Sequence, residues 1–144
     1  MTRVLEETTE QDIDRDHIER RIDDWANRID ALYHEIEGWL PLGWSAARPG
    51  TVRMHEEPMQ RFGVAARELP VLELSFNGTP SARIEPRGLW IVGLNGRLDL
   101  FRGREHYIIF DIADNFDPAD WRIAPFSDRR KQQRFDRQTF VSVL

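Results

Sequence analysis

The feature that most constrains the fold is a seven-residue rhythm of apolar residues near the start of the chain. They recur at alternating spacings of four and three residues: Ile18, Ile22, Trp25, Ile29, Leu32, Ile36 and Trp39. This spacing places the side chains on one face of an α-helix. Thr9 or Asp12 can cap the start, and Gly38 followed by Pro41 indicates the end. We therefore predict a helix over residues 12–40.

The same rhythm allows two ways of burying this helix. In a coiled coil, two copies of the chain pair through a narrow seam formed by two positions of each heptad. Here a third heptad position is also apolar, at Ala26, Tyr33 and Leu40. A stripe of that width suits packing on a sheet. We favour burial within the chain and keep a homodimer through this helix as the alternative.

The middle of the chain predicts an antiparallel sheet. Residues 71–76 alternate apolar and polar, and Asn77-Gly78 then supplies the positive φ angles that a two-residue hairpin turn needs. Asn95-Gly96 predicts a second such turn, and Gly103 predicts a third. Strands are expected at 71–76, 81–85, 89–94, 97–101 and 106–112. Because short turns join them, neighbouring strands must be antiparallel.

The flanking segments complete the predicted architecture. Residues 41–50 are interpreted as a connector, 51–56 as a strand, 58–70 as holding an edge strand, and 121–124 as a short edge strand. Asp136 is expected to cap a last helix over 136–143. At 144 residues the chain has the size of one domain. We predict a single α+β domain, residues 1–144, in which the long N-terminal helix packs on a mainly antiparallel meander of five or six strands (51–124), with a short C-terminal helix.

Composition excludes several classes of function. The chain contains no cysteine, so disulfides, thiolate nucleophiles and zinc–thiolate sites are excluded. No cofactor motif is present, and we predict none. The N-terminus has no basic segment followed by an apolar run, and no apolar run is long enough to span a bilayer. We expect a cytoplasmic protein without membrane contact.

Charge is concentrated at the front of the chain. The first 40 residues hold 12 acidic and 5 basic residues, while the remainder holds 13 acidic and 15 basic residues. Four carboxylates recur every seven residues beside the apolar stripe, with a fifth adjacent, and we name the set the acidic flank: Asp16, Asp23, Asp24, Asp30 and Glu37. It predicts a non-catalytic protein–protein interaction module, an accessory, inhibitory or immunity-type partner of a protein with a basic surface. The alternative is a solvated helix face.

Histidines supply a second functional hypothesis, although we do not expect an enzyme. His55 precedes two glutamates, and His106 follows Glu105 at the start of a strand. If His55 and His106 met across the sheet, they could form a general acid/base pair. The corresponding function is a small metal-independent hydrolase or nuclease.

Carboxylates after the last strong strand are the candidate metal ligands. Asp111, Asp114 and Asp117 recur every third residue, followed by Asp120. Several oxygens on one loop can hold Mg²⁺ or Ca²⁺, but this spacing is not that of a calcium-binding helix–loop–helix. Aspartates also form turns and caps. We favour that structural role and predict no metal.

A basic run near the C-terminus supplies the third hypothesis, a nucleic-acid or small-ligand binding module. Its members are Arg129, Arg130, Lys131 and Arg134, and the neighbouring Phe135 could stack on a base. A small ligand could instead lie over the sheet, among Arg83, Arg97, Asp99 and Tyr107. The net charge of −5 and the pI near 5.4 argue against nucleic acid as the main partner.

Overall fold

A computed structural model describes the backbone from Thr2 to Leu144 and the side chains from Arg15 onward. The elements follow one another in the order α1 (Thr2–Trp39), β1 (Trp44–Ala47), β2 (Thr51–Met54), α2 (Glu57–Arg61), β3 (Arg67–Pro70), β4 (Leu72–Phe76), β5 (Thr79–Ile91), β6 (Leu94–Arg102), β7 (Glu105–Asp111), β8 (Trp121–Pro125), a 3₁₀ turn (Arg129–Lys131), β9 (Gln133–Arg134) and α3 (Arg137–Ser142).

The predicted α+β fold is confirmed, with more strands than expected. Seven strands form an antiparallel sheet in the order β1-β4-β5-β6-β7-β8-β9, and β2 and β3 form a separate two-stranded sheet. The hairpin turn predicted at Asn77-Gly78 joins β4 to β5, and both residues have positive φ. The turn at Gly103 joins β6 to β7. Most neighbours in the large sheet are therefore consecutive in sequence, as in a meander.

The apolar stripe of α1 packs on one face of the large sheet. Trp25, Ile29 and Ile36 are fully buried in one core with Leu98 and Leu100 of β6, which were predicted to face inward. Burying side chains of this size stabilises the fold by roughly 1.5–3 kcal/mol each. The stripe that could have paired two copies of the chain is thus used within one chain. The helix begins earlier than the predicted residue 12 and ends one residue before the predicted 40.

The second hairpin turn was predicted at the wrong place. Ile91 pairs with Leu94, so the turn between β5 and β6 is Val92-Gly93, and Asn95-Gly96 lies inside β6. Gly96 has a φ of +105°, but it serves a close approach to the helix. A Cβ at this position would lie 2.3 Å from Cζ3 of Trp25. A glycine that looked like a turn signal is required by packing.

Four other segments differ from the sequence prediction. The strands expected at 81–85 and 89–94 form one long strand, β5, with a bulge between Pro86 and Gly88. The connector over 41–50 contains β1, which pairs with β4. Segment 58–70 holds α2 as well as β3, because Pro58 suits the first turn of a helix. Strand β8 is not at the edge, since β9 pairs with it.

The face of the sheet turned away from α1, here called the outer face, carries a second small core. Strand alternation points Ile108, Phe110 and Ala124 to this side, and each is about 1% exposed. Arg129 lies over the Phe110 ring, with its Cζ 5.5 Å from the ring centre. Arginine stems can cover apolar surface while their charges stay in water. The sheet therefore has two distinct sides, one covered by the helix and one lined by arginines.

Candidate interaction surface

The acidic flank lies on the exposed side of α1, and part of it is neutralised by arginines of the same chain. Arg48 Nη1 donates to Asp30 Oδ1 at 2.7 Å, and its Nη2 lies 3.7 Å from Glu37 Oε1. Arg67 Nη1 donates to Asp23 Oδ1 at 2.9 Å. The hydrogen bond from Arg48 lowers the pKa of Asp30. The rear half of the flank, Asp30 and Glu37, therefore contributes to holding the segment after β1 against the helix.

The remaining two members of the flank have different surroundings. Asp24 turns toward the sheet, and its Oδ2 accepts from Arg28 Nε at 2.6 Å. Asp16 is exposed, and the described side chains supply no ion-pair partner for it. Together with Glu19, Arg20 and Asp23 it borders a shallow depression on the helix surface. Asp16 and Asp23 form the forward half of the flank. Asp16 has no ion-pair partner among the described side chains, and Asp23 is paired with Arg67 but 65% exposed, so both carboxylates are accessible to another protein.

Three exposed apolar side chains lie at the end of the sheet beside this forward half, and we name them the apolar end: Val92 (98% exposed), Ile112 (41%) and Phe116 (45%). The Phe116 ring meets His17 of α1 edge-on at 5.7 Å between ring centres. Its other neighbour on the helix is Arg20, whose Cζ lies 5.9 Å from the ring centre. Because Arg20 also borders the acidic depression, Phe116 of the apolar end lies next to the forward acidic flank.

Phe116 is held in a backbone conformation that phenylalanine rarely adopts. Its φ is +67°, in the left-handed region that disfavours bulky side chains. Such a conformation costs roughly 1–3 kcal/mol and persists only where the surrounding structure enforces it. It also leaves a large aromatic ring nearly half exposed. A strained residue that presents an aromatic ring to solvent is typical of a binding surface.

A buried carboxylate fixes the loop that carries Phe116. Asp111 is fully buried, and its Oδ1 accepts the backbone N–H groups of Ala113 at 2.9 Å and Asp120 at 2.8 Å. Its Oδ2 accepts from Arg28 Nη1 at 2.5 Å. Arg28 also donates to the carbonyl oxygen of Asp117. Both ends of the loop and its middle are therefore tied to the same ion pair.

The network continues to the β5–β6 turn. Asn95 Nδ2 lies 3.4 Å from both Asp111 Oδ2 and the carbonyl oxygen of Asp114. Its Oδ1 accepts from Arg21 Nη2 at 3.1 Å, and the Arg21 guanidinium lies 5.7 Å from the Trp90 ring centre. Burial lowers the pKa of Arg21. These contacts place the turn that carries Val92 beside the loop that carries Phe116.

The predicted metal ligands have a structural role in this arrangement. Both oxygens of Asp111 already accept hydrogen bonds, while Asp114 and Asp117 lie on the exposed loop. Asp120 pairs with Arg122 at 3.2 Å. Among the described residues, no group of three or more histidines, aspartates and glutamates is suited to hold a metal ion. Asp111 thus anchors the loop, and the backbone N–H of Asp117 donates to the carbonyl oxygen of Asp114 at 3.1 Å.

The two candidate catalytic histidines lie in different parts of the fold. His55 Nε2 lies 3.2 Å from the carbonyl oxygen of Val64, and the neighbouring Glu56 accepts the N–H groups of Leu89 and Trp90 on β5. These contacts dock the small sheet on the large one. No contact between His55 and His106 occurs within the described structure.

His106 meets a carboxylate that the sequence did not indicate. Its Nε2 lies 3.4 Å from Asp99 Oδ2, without the alignment of a hydrogen bond, and Asp99 is buried. Arg97 Nε donates to the other oxygen of Asp99 at 2.9 Å. Glu105, the expected partner, instead accepts from the Tyr107 hydroxyl at 3.1 Å. The two-residue alternation of β6 and β7 puts Asp99 and His106 on the same face, and this signal could have revealed the pair.

The stacking role expected of Phe135 and the expected small-ligand site both need correction. Phe135, expected to stack on a base, is buried against Trp39 and Phe140. The exposed aromatic beside the run is Phe126. Arg129, Arg130 and Lys131 form the 3₁₀ turn, and Arg134 lies in β9. Tyr107 belongs to the helix side of the sheet, opposite Arg97 and Asp99, so these residues do not line one pocket.

Comparison of the chain with models of protein families, with curated proteins and with solved structures finds no match. Within the described residues, no helix combines the length and the hydrophobicity needed to cross a membrane. The geometry of the surface therefore carries the functional assignment.

Proposed function

We propose that this chain is a non-catalytic protein–protein interaction module, of an accessory, inhibitory or immunity type, that binds a protein with a basic surface. The contact surface consists of the forward acidic flank, Asp16 and Asp23, together with the apolar end. The single observation that supports this proposal is the exposed, strained Phe116 ring, held by a buried ion pair beside exposed carboxylates.

The combination of side chains suits a protein interface. Binding energy at interfaces is concentrated in a few large side chains near the centre, surrounded by a polar rim that excludes water. Phe116 and Ile112 supply apolar area, and the acidic groups supply charge at the rim. Complementary charge mainly raises the association rate and selects the partner. A basic partner is therefore favoured over a neutral one.

The loop geometry lowers the cost of binding. A loop that is ordered before contact loses less conformational freedom when it binds. Asp111 and Arg28 hold the loop in the described conformation without a partner, and Asn95 adds a further contact. Most of the strain at Phe116 is thus offset within the fold, and the partner meets a formed surface.

Partner capture with matched variants tests the proposal. The tagged full chain is used on host lysate alongside Asp16→Lys/Asp23→Lys, Phe116→Ala and the control Phe76→Ala, since Phe76 is also exposed but lies on β4. The natural chain and the control should retain one basic protein that the other two variants lose. With that protein purified, Phe116→Ala should weaken binding by about tenfold or more, as truncation of a central aromatic does.

Charge reversal should act differently from loss of the ring. Asp16→Lys/Asp23→Lys should slow association and reduce its dependence on salt, which stopped-flow measurements separate from dissociation. Equal capture of one partner by all four chains would contradict the proposed surface. Light scattering of the free chain tests a second copy as the partner, since a mass that doubles with concentration would replace a basic partner by a homodimer.

The compartment is part of the same proposal. A chain without cysteine needs no oxidising compartment in order to fold, and we propose the cytoplasm. Fractionation of host cells with an antibody to the chain checks this, and recovery outside the cytoplasmic fraction would refute it.

One observation favours a hydrolase as the second candidate. His106 and the buried Asp99 lie close enough to act as an acid/base pair after a small movement, since Nε2 and Oδ2 are 3.4 Å apart. If the chain cleaves a phosphodiester substrate, His106→Ala should abolish the activity and His55→Ala should leave it unchanged. Activity that survives His106→Ala would eliminate this candidate.

A further inference from the structure

Three aromatic rings form a continuous stack across the outer face of the sheet, and we name them the aromatic ladder: Phe101 of β6, His106 of β7 and Phe126 after β8. The ring centres of Phe101 and His106 are 4.4 Å apart with 28° between the planes. His106 and Phe126 are 4.3 Å apart and within 8° of parallel. Phe126 ends the ladder and is 55% exposed.

One cationic side chain lies against the exposed end of the ladder, and a basic segment follows the ladder in the chain. The Arg97 guanidinium lies 5.6 Å from the Phe126 ring centre. Arg129, Arg130 and Lys131 follow Phe126 in the chain within five residues, and the Arg130 side chain is 92% exposed. An array of cations next to an exposed aromatic ring is the arrangement that binds a flexible chain of stacked bases and phosphates.

The nearby carboxylates are each occupied by an arginine. Asp99 accepts from Arg97 at 2.9 Å, and Asp128 accepts from Arg130 at 3.0 Å. The hydrogen bonds from Arg130 lower the pKa of Asp128, so this carboxylate stays ionised and paired. Arg129 has no such partner among the described residues, and its guanidinium lies over the Phe110 ring on the outer face. The local charge is therefore positive, although the whole chain is acidic.

We infer that the outer face binds single-stranded nucleic acid, with a base stacked at Phe126 and phosphates contacting Arg129 and Arg130 of the 3₁₀ turn. Aromatic rings on a sheet bind successive bases because every base has a face that can stack, and neighbouring cations neutralise the phosphates. A double helix keeps its bases stacked inside and cannot use the ring. This site is separate from the proposed protein-interaction surface, since it lies on the side of the sheet opposite α1, and it shares His106 with the hydrolase candidate.

The low pI, which argues against nucleic acid as the main partner, arises from charge that lies away from the outer face. The excess of negative charge lies in the first 40 residues, and the rest of the chain holds more basic than acidic residues. Helix α1 and the outer face are separated by the sheet itself. Screening over about 8 Å at physiological salt limits the influence of the helix on the other side.

Fluorescence anisotropy with a labelled oligothymidylate or oligouridylate of about 12 nucleotides tests the inference. Titrations between about 50 and 200 mM salt give both the affinity and its salt slope. The variants are Phe126→Leu, Phe126→Ala and Arg129→Ala/Arg130→Ala. The matched controls are Phe76→Ala, an exposed ring on β4, and Arg53→Ala, an exposed arginine on the small sheet.

The two kinds of substitution should separate stacking from charge. Phe126→Ala and Phe126→Leu should each weaken binding about tenfold and leave the salt slope unchanged, because they remove a stacking face and no cation. Arg129→Ala/Arg130→Ala should reduce the magnitude of the slope by about 1.4, at about 0.7 per phosphate contact on a single strand. Both controls should bind as the natural chain does.

Several results would overturn the inference. They are the absence of binding at the lowest salt, equal affinity for a duplex of the same length, and equal losses for Phe126→Ala and Phe76→Ala. Phe126→Leu keeps the apolar cover over His106, so circular dichroism of this variant guards against a loss of binding that merely reflects unfolding.

Discussion

Gly96 shows how a residue without a side chain sets the distance between the helix and the sheet. The six-membered ring of Trp25 lies directly over its Cα, and three ring atoms lie within 2.7 Å of where a Cβ would be. Trp25 is fully buried and cannot move aside without displacing the apolar stripe. The glycine also has a φ of +105°, which disfavours other residues. Both the space and the backbone therefore require glycine.

Replacing Gly96 by alanine should destabilise the protein far more than the same change elsewhere. We expect Gly96→Ala to lower the free energy of unfolding by about 3 kcal/mol or more, because overpacking and backbone strain add. The control is Gly93→Ala in the β5–β6 turn, where φ is +78° and no atom lies within 4 Å of the new Cβ. Strain alone should cost about 1–2 kcal/mol there. Urea denaturation measures both, and equal costs would contradict the packing role.

The buried ion pair of Arg28 and Asp111 should contribute strongly to the stability of the fold. Asp111→Ala should lower the free energy of unfolding by about 3–5 kcal/mol, because it leaves the Arg28 charge buried without its partner. The double variant Arg28→Met/Asp111→Leu should cost less than the sum of Arg28→Met and Asp111→Leu. Arg15→Ala serves as the control, since its pair with Glu19 is exposed and such pairs contribute at most about 1 kcal/mol. A double-mutant cycle without coupling would refute the network.

Sequence patterns predicted the helix and the hairpin whose conformation depends on residues that are close together in the chain. The seven-residue rhythm identified α1, and the alternation of 71–76 with Asn77-Gly78 identified the first hairpin. The second turn was predicted at Asn95-Gly96, a strong turn signal, whereas the chain turns at Val92-Gly93. The contact of Gly96 with Trp25, 71 positions earlier in the chain, decides between them. Strand β1 was missed because its four residues show no strong pattern and its place depends on β4.

Some features of the candidate sites were likewise visible in the sequence, and others depend on contacts between distant segments. The acidic flank was visible because seven-residue spacing is a property of one helix. Its pairing with Arg48 and Arg67 was not, since those arginines arrive from segments 18 and 44 residues away. The left-handed conformation of Phe116 and the exposure of Phe126 have no local signature. Register between β6 and β7 brings Asp99 to His106, and only the correct strand pairing reveals it.

Helix α3 offers a prediction about pH. The Asp136 carboxylate caps it by accepting the backbone N–H of Thr139 at 3.1 Å, and this bond lowers the pKa of Asp136 in the folded state. A lowered folded-state pKa means that the stabilisation is present above the unfolded pKa of about 3.9 and is lost as the pH falls through the folded value. Asp136→Asn keeps an acceptor but cannot titrate.

Thermal midpoints between pH 7 and pH 2 check the cap. We expect the natural chain to be more stable than Asp136→Asn at neutral pH and the difference to shrink in the acid range. A difference that stays constant down to pH 2 would show that the charge of Asp136 does not contribute to the cap.

At the scale of the whole molecule, charge is separated between the two sides of one sheet. The side of α1 carries the acidic flank, and the outer face carries the aromatic ladder and basic residues of the 3₁₀ turn. Pairs such as Arg48 with Asp30 and Arg28 with Asp111 join the acidic helix to the more basic remainder and so attract the two parts of the fold. The separation leaves two surfaces of opposite charge that face in different directions. One chain could thus hold a basic protein and a nucleic acid at the same time.

The acidic flank and the outer face should bind their partners independently of each other. Asp16→Lys/Asp23→Lys should change the affinity for the single-stranded oligonucleotide by less than about twofold at 0.15 M salt, where the screening length is about 8 Å. At 0.01 M salt the length rises to about 30 Å, and the same variant should bind measurably tighter because the negative charge is no longer screened. Anisotropy titrations at both salts test this. If the variant changes the affinity as much at 0.15 M salt as at 0.01 M, the acidic flank lies within reach of the bound strand. The two surfaces would then not be independent.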